Sequence, residues 1–238
     1  LLRNMAEVGM EVLCYNWMPD EDWQRTSKDA PERGGAKGTA FDLKQAGEGN
    51  LTDADGLPTT RTPADRLWEN LKRFLDDILP TAEDCKVRLA LHPDDPPLAD
   101  LHGQDRIITS NEAFERVVAL APSPYNGLCY CQGALAPAGV DVEAGIRKLA
   151  PHIHYAHFRN VSGVAEDFRE TFHDNGDLDM AALMRAYKES GFDGPMRPDH
   201  APSLAGESNE TPGYETLGKL HAIGYMKGLY DQASFFES

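Results

Sequence analysis

Short apolar runs alternate along the chain with longer stretches whose apolar residues recur every three or four positions. Between Leu67 and Leu79 the apolar residues form one broad stripe of helical spacing, which is the pattern of a helix packed on a core. Alternation of strands and helices is typical of βα units around a parallel sheet. The pattern predicts an α/β fold with strands at Val12–Asn16, Val87–His92, Gly127–Cys131, Ile153–Arg159 and Pro195–Asp199.

The segment from Ser27 to Thr62 interrupts this alternation. It is rich in Gly, Asp and Thr and shows neither helical nor strand periodicity. A connection of this length without structure of its own is usually a functional loop or a mobile one. We therefore expect a long loop at 27–62, and the sequence leaves open whether it is a lid over a binding site.

The length and composition of the chain suit one domain. A complete (β/α)₈ barrel usually needs about 250 residues, and this chain has 238, of which 41% are hydrophobic and 26% charged. Such a composition is typical of a globular protein rather than a disordered one. We expect a single domain over residues 1–238, in which a full barrel would be tight.

Charge and cysteine content narrow the class of partner and the compartment. The formal net charge of −16 argues against nucleic acid as a partner, because phosphate binding needs a basic face. No apolar run approaches the roughly 18 residues of a membrane-spanning helix, and the N-terminus lacks the apolar core of a signal peptide. Four irregularly spaced cysteines then fit free thiols in a reducing cytoplasm, with no membrane partner.

Four consecutive predicted strands each offer one residue near the rim that can ligate a metal. Side chains alternate between the two faces of a strand, so His92, Cys131, His157 and Asp199 all lie on the inward face at one rim. Imidazole, thiolate and carboxylate together suit Zn²⁺, Fe²⁺ or Mn²⁺ better than Mg²⁺ or Ca²⁺. Each residue alone has a common structural role, so the pattern leaves a metal site and a set of structural side chains as equal alternatives.

Seven motifs resemble those of the D-mannonate dehydratase family, in order and over nearly the whole chain. They are CYNWMPDEDWQRT (14–26), LALHPDDPP (89–97), PSPYNGLCYCQGAL (122–135), IHYAHFRNV (153–161), HDNGDLDM (173–180), PMRPDH (195–200) and TPGYETLGKL (211–220). The resemblance implies a xylose-isomerase-like TIM barrel. It also implies a lyase that removes water from D-mannonate to give 2-keto-3-deoxy-D-gluconate in hexuronate (glucuronate) catabolism.

The resemblance further implies roles for individual residues. The family's metal ligands match His92, Cys131, His157 and Asp199, and the family works with Fe²⁺ or Mn²⁺. Proton transfer is implied for His200, which follows the Asp of RPDH, and for Tyr214 of the PGY motif.

Three further residues are expected at the sugar-acid site. Arg159 and Arg197 face inward near the ligands and could hold the substrate carboxylate through two-pronged hydrogen bonds. The alternative for either arginine is that it ties down an acidic rim. Asn16 would be a polar wall residue.

Two departures from the family pattern keep other interpretations open. RPDH is followed by Ala201–Pro202 where the family usually has Gly-His, so another sugar acid, or a metal-dependent sugar isomerase or epimerase, is an alternative. Cys131 argues against the isomerase, because such enzymes usually hold metal with carboxylates and histidines.

The chain also starts just before the strand that would be the fourth of eight. We therefore expect a truncated barrel with strands four to eight, and a non-catalytic remnant is a third alternative. A homo-oligomer is compatible with the sequence.

Overall fold

The computed structural model describes residues 1–19, 23–47 and 60–235. The strands in these ranges are β1 (Val12–Tyr15), β2 (Ser27–Pro31), β3 (Lys37–Asp42), β4 (Arg88–Leu91), β5 (Asp100–Leu101), β6 (Gln104–Asp105), β7 (Asn126–Cys131), β8 (Ile153–His157), β9 (Val161–Val164), β10 (Asp167–Glu170) and β11 (Met196–Arg197). The α-helices are α1 (Leu2–Glu7), α2 (Leu43–Ala46), α3 (Ala64–Cys85), α4 (Asn111–Leu120), α5 (Gln132–Leu135), α6 (Val142–Leu149), α7 (Met180–Glu189) and α8 (Thr216–Phe235). Short 3₁₀ turns lie at Arg33–Gly35, Ala136–Ala138 and Ala150–His152.

The main sheet has five strands in the order β1-β4-β7-β8-β11, and all four pairings are parallel. Each of the five predicted strands is present, although the last is shorter than predicted, at Met196–Arg197. Parallel pairing brings the carboxyl ends of the strands to one edge of this half-barrel sheet. The α/β fold with a parallel sheet is therefore confirmed.

Helices cover the outer face of this sheet and close the core. The apolar stripe of α3 is buried as predicted, and Leu71 and Leu75 are fully buried. All six residues of β7 are buried, which is typical of a central parallel strand covered on both faces. None of the described helices is long and apolar enough to cross a membrane.

A second, antiparallel sheet corrects the expectation for 27–62. Strands β2 and β3 join β10 and β9 in the order β2-β3-β10-β9, and Phe41 packs on Phe168 with ring centroids 5.8 Å apart. The loop prediction is therefore wrong for 27–46. It failed because β3 has one large apolar residue and pairs with a strand more than 120 residues later, so no local period marks it. Residues 48–59, and with them the lid hypothesis, lie outside the described residues.

Candidate active site

Four side chains from four parallel strands converge at the carboxyl edge of the sheet. His92 follows β4, Cys131 and His157 are the last residues of β7 and β8, and Asp199 lies two residues after β11. One ligand atom from each lies within 4.8 Å of all the others. Cys131, His157 and Asp199 are buried and His92 is half-buried. We call these four residues the ligand quartet.

The chemistry of the quartet fits a divalent cation. Neither ring nitrogen of His157 has a hydrogen-bond partner in the described part of the chain, although the residue is buried. An unsatisfied buried polar group costs about 1–3 kcal/mol, so a ligand here would remove a penalty. His92 Nδ1 lies 2.6 Å from the Pro93 carbonyl oxygen, which can only accept. Nδ1 therefore carries the proton and Nε2 has a lone pair, which is the arrangement typical of a metal-binding histidine.

Burial and neighbouring charges shift the pKa values of the four quartet residues. It lowers the pKa of both His92 and His157, so the imidazoles are neutral. It raises the pKa of the Cys131 thiol well above its usual range, a shift that a bound divalent cation would oppose. Burial alone would also raise the pKa of Asp199, but the neighbouring His200 and Arg159 outweigh it and hold that pKa well below its usual range.

The backbone at Asp199 adopts a rare conformation that its neighbours hold in place. Its φ of 57° lies in the left-handed region, which costs a residue other than glycine about 1–3 kcal/mol. Arg197 donates to its carboxylate over 2.8 Å, and Lys219 donates to its carbonyl oxygen. His173 Nε2 donates to the preceding carbonyl, that of Pro198, over 2.9 Å. These contacts hold the carboxylate beside Cys131 and His157.

His200 and Tyr214 form a hydrogen-bonded pair beside the quartet. His200 Nε2 lies 2.8 Å from the Tyr214 hydroxyl, and His200 Nδ1 lies 2.8 Å from Oε1 of Glu170. Gly213 has a φ of +83°, and a Cβ there would lie 3.1 Å from His200, so glycine permits the close approach. Burial and the charge of Asp199 raise the pKa of Tyr214 to about 12, so the phenol stays protonated at neutral pH.

Four charged side chains form a buried ion network behind this pair: Arg25, Asp95, Arg159 and Glu170. Arg159 donates to Asp95 over 2.8 Å and to Glu170 over 2.7 Å, and Arg25 donates to the same two carboxylates. Burial alone would raise the pKa of Asp95 and of Glu170. The two guanidinium groups hold the pKa of Asp95 well below its usual range, and His200 together with both guanidinium groups does the same for Glu170. These contacts fit the alternative stated for Arg159, that it ties down acidic side chains.

Comparison with known proteins decides the family. Residues 1–237 match the family model of D-mannonate dehydratase (UxuA). The chain belongs to the D-mannonate dehydratase family. It is therefore a hydro-lyase by family, as the sequence motifs predicted.

Individual relatives agree with this assignment. The mannonate dehydratase of Thermotoga petrophila is 33% identical over 265 residues, which span 97% of this chain and 72% of that protein. The crystal structure of mannonate dehydratase from Streptococcus suis serotype 2 matches with a TM-score of 0.86 and 35% identity, over 98% of this chain and 68% of that one.

A more distant structure shows the fold alone. A xylose isomerase-like TIM barrel protein from Mycobacterium smegmatis matches with a TM-score of 0.57 at 14% identity, over 98% of this chain and 66% of that one. The predicted xylose-isomerase-like barrel class is confirmed.

The cavity of this dehydratase-family site has a volume of about 330 Å³, within the range of small-molecule pockets. It is lined by Cys14, Tyr15, Asn16, Met18, Trp23, His92, Asp95, His157, Arg159, Arg197, Asp199, His200 and Tyr214. The side chain of Arg197, which lines this cavity, is 39% exposed, and Asn16 is an exposed wall residue. The residues predicted to bind the substrate, to transfer protons and to hold the metal thus lie at one cavity. Cys131 is the exception among them, because it is buried and does not line the cavity.

Sequence reasoning missed several residues of this site. Asp95 and Lys219 lie within the family motifs HPDDPP and TPGYETLGKL, so those motifs could have found them. Arg25 lies within the motif CYNWMPDEDWQRT, which could have found it too, whereas Glu170 ends a strand that was not predicted. No local pattern marks Glu170, because its partners Arg25 and His200 lie 145 and 30 residues away in the sequence.

Proposed function

We propose that this chain removes water from D-mannonate, or a closely related sugar acid, with a divalent metal, Fe²⁺ or Mn²⁺, held by His92, Cys131, His157 and Asp199. The product would be 2-keto-3-deoxy-D-gluconate, within hexuronate catabolism. Family membership supports the reaction class. The observation that carries the metal is the convergence of four ligand atoms around the His157 imidazole, whose nitrogens have no hydrogen-bond partner among the described residues.

When bound, the metal supplies Lewis-acid stabilisation for the negative charge that develops as the proton next to the carboxylate is lost. His92 and His157 would contribute neutral imidazoles, and Asp199 and Cys131 would contribute the anionic ligands. The mixed nitrogen, sulfur and oxygen set favours a transition metal over Mg²⁺ or Ca²⁺.

His200 is suited to the role of general base. Its Nδ1 lies 2.8 Å from the Glu170 carboxylate oxygen, which can only accept a hydrogen bond, and 2.9 Å from Nη1 of Arg159, which can only donate one. The role of base requires the tautomer with the proton on Nδ1, directed to Glu170, which leaves a lone pair on Nε2. Nε2 faces the cavity side, where the Tyr214 hydroxyl donates to it. His200 would take the proton from the substrate carbon, and Glu170 would orient the ring and stabilise its charged form.

Tyr214 is suited to the complementary role of general acid. Its raised pKa keeps the hydroxyl protonated at neutral pH, so it can give a proton to the departing hydroxyl group. Arg197, which reaches the cavity beside Asp199, would bind the substrate carboxylate, and Asn16 would contact the sugar hydroxyls. Arg159 would position Asp95 and Glu170 rather than touch the substrate.

Product analysis by NMR tests this proposal. The purified chain, loaded with Mn²⁺ and given D-mannonate, is expected to form 2-keto-3-deoxy-D-gluconate. Asp199→Asn is expected to abolish the product, and Asp76→Asn, the same change on the outer surface of α3, is expected to leave it unchanged. An isomer or epimer that retains the water would favour the isomerase alternative. No 2-keto-3-deoxy acid from D-mannonate or any other aldonate would contradict the proposal.

A further inference from the structure

Two thiols meet beside the ligand quartet, on the inward face of the sheet. Cys14 on β1 and Cys129 on β7 have sulfur atoms that, with a ring nitrogen of His157, all lie within 4.8 Å of one another. Cys129 is fully buried, and Cys14 is half-buried and lines the cavity. The two cysteines and His157 thus form a second group with metal-ligand spacing.

The geometry of the two strands does not suit a disulfide between Cys14 and Cys129. Strand β4 lies between β1 and β7, with Cys14 beside Ala90 and Ala90 beside Gly127. Cys129 lies two residues beyond Gly127 on β7. Because neighbouring strands are about 4.8 Å apart, the Cα atoms of Cys14 and Cys129 are separated by at least about two strand spacings. A disulfide needs Cα atoms less than about 7 Å apart. An ion about 2.3 Å from each sulfur bridges the side chains without moving the strands.

The imidazole of His157 supplies the third ligand. Both of its ring nitrogens are buried without a hydrogen-bond partner among the described residues, so one nitrogen facing the quartet leaves the other unsatisfied. Two thiolates and one imidazole form a ligand set that favours soft or borderline ions such as Zn²⁺, Cd²⁺ or Cu⁺ over Mn²⁺. The same set with an open fourth position is known from zinc sites in proteins.

We propose that Cys14, Cys129 and His157 form a second, thiophilic metal site next to the quartet, which binds Zn²⁺ or Cd²⁺ and not Mn²⁺. Binding breaks the two S–H bonds, forms two metal–sulfur bonds and releases two protons. The site shares His157 with the quartet but needs neither Cys131 nor Asp199, and it does not depend on the proposed dehydration. Because both groups include His157, a thiophilic ion in the second site would affect metal binding by the quartet.

Cadmium titration of a variant that lacks the quartet tests the proposal. In Cys131→Ser/Asp199→Asn, the near-ultraviolet absorption of cadmium–thiolate bonds is expected to rise to one Cd²⁺ per chain. Adding Cys14→Ser is expected to weaken Cd²⁺ binding by at least tenfold and to remove most of this signal. Adding Cys85→Ser, a change at the half-buried end of α3, is the matched control and is expected to change neither. A signal independent of Cys14, or no cadmium–thiolate signal, would overturn the proposal.

A second measurement uses the unaltered chain and so does not depend on how the variants fold. Alkylation of Cys14 by iodoacetamide, followed by mass spectrometry of its peptide, is expected to be slowed by Cd²⁺ at least tenfold more than by Mn²⁺. Equal protection by the two ions, or no protection by either, would contradict a thiophilic site at Cys14. Failure of dehydration with this result intact would leave the second site standing.

Discussion

The ligand quartet and the ion network lie side by side at the carboxyl edge of the sheet, and both are buried, but their atoms are paired differently. In the network, Asp95 and Glu170 each accept hydrogen bonds from both Arg25 and Arg159 at 2.9 Å or less. In the quartet, His157 makes no hydrogen bond to any described residue, and the Cys131 sulfur lies 3.7 Å from Asp199. Both carboxylates of the network are paired within the protein, whereas the His157 ring of the quartet lacks a partner that a cation would supply.

His200 lies between the two clusters, in contact with Glu170 and next to Asp199 in the chain. Its replacement is expected to distinguish proton transfer from metal binding. Replacing His200 with Asn, or Tyr214 with Phe, removes one of the two groups proposed to transfer protons and leaves all four quartet residues. We expect kcat for dehydration to fall about 10²–10⁴-fold, with Mn²⁺ binding retained. Tyr230→Phe, the same change on exposed α8, is the matched control and is expected to keep full activity. Loss of Mn²⁺ together with activity would show that the two clusters are not separable.

Glu170→Gln breaks the network. The change leaves Arg25 and Arg159 sharing the single carboxylate of Asp95, and removing one partner of a buried ion cluster costs about 3–5 kcal/mol. We expect the free energy of unfolding in urea to fall by that amount. Glu143→Gln removes a surface ion pair with Arg147 and is expected to have a much smaller effect. An equally small effect at Glu170 would mean that the network does not stabilise the fold.

His173, which donates to the carbonyl that precedes Asp199, makes the stability of the fold depend on pH. Burial lowers its pKa from 6.5 to about 4, so the unfolded chain takes up a proton at a higher pH than the folded chain. The stability that this group contributes is therefore fully present above pH 6.5 and is lost as the pH falls from 6.5 towards 4. The loss amounts to about 3 kcal/mol.

The His173→Asn variant isolates that contribution. Its free energy of unfolding is expected to fall less steeply than that of the unaltered chain between pH 6.5 and 4. His152→Asn, at a half-exposed position, is expected to keep the original slope. Parallel curves for the unaltered chain and His173→Asn would contradict the depressed pKa.

The strand-end residues were predictable because they follow from a local rule. Side-chain alternation along a parallel strand and the common edge of the sheet suffice to bring His92, Cys131, His157 and Asp199 together. That these four act as ligands remains a prediction. The left-handed backbone at Asp199 was not predictable, because contacts from Arg197 and Lys219 hold it.

The contacts of the ion network could not be predicted from the sequence. Glu170 lies on β10, which pairs with β3 across a gap of more than 120 residues, and neither strand has a strong apolar pattern. For Arg159 the sequence left two roles open, and only the positions of Asp95 and Glu170 favour one of them. Long-range pairing of charged groups has no sequence period, so it appears only in the folded structure.

The quartet is proposed to hold a divalent metal around His157. Calorimetric titration of the metal-free chain with Mn²⁺ tests it most directly, with His157→Gln as the variant and His152→Gln as the matched control. The account predicts one Mn²⁺ per chain, at least a hundredfold weaker binding in His157→Gln, and unchanged binding in His152→Gln. No Mn²⁺ bound by the unaltered chain, or equal binding by His157→Gln, would contradict it.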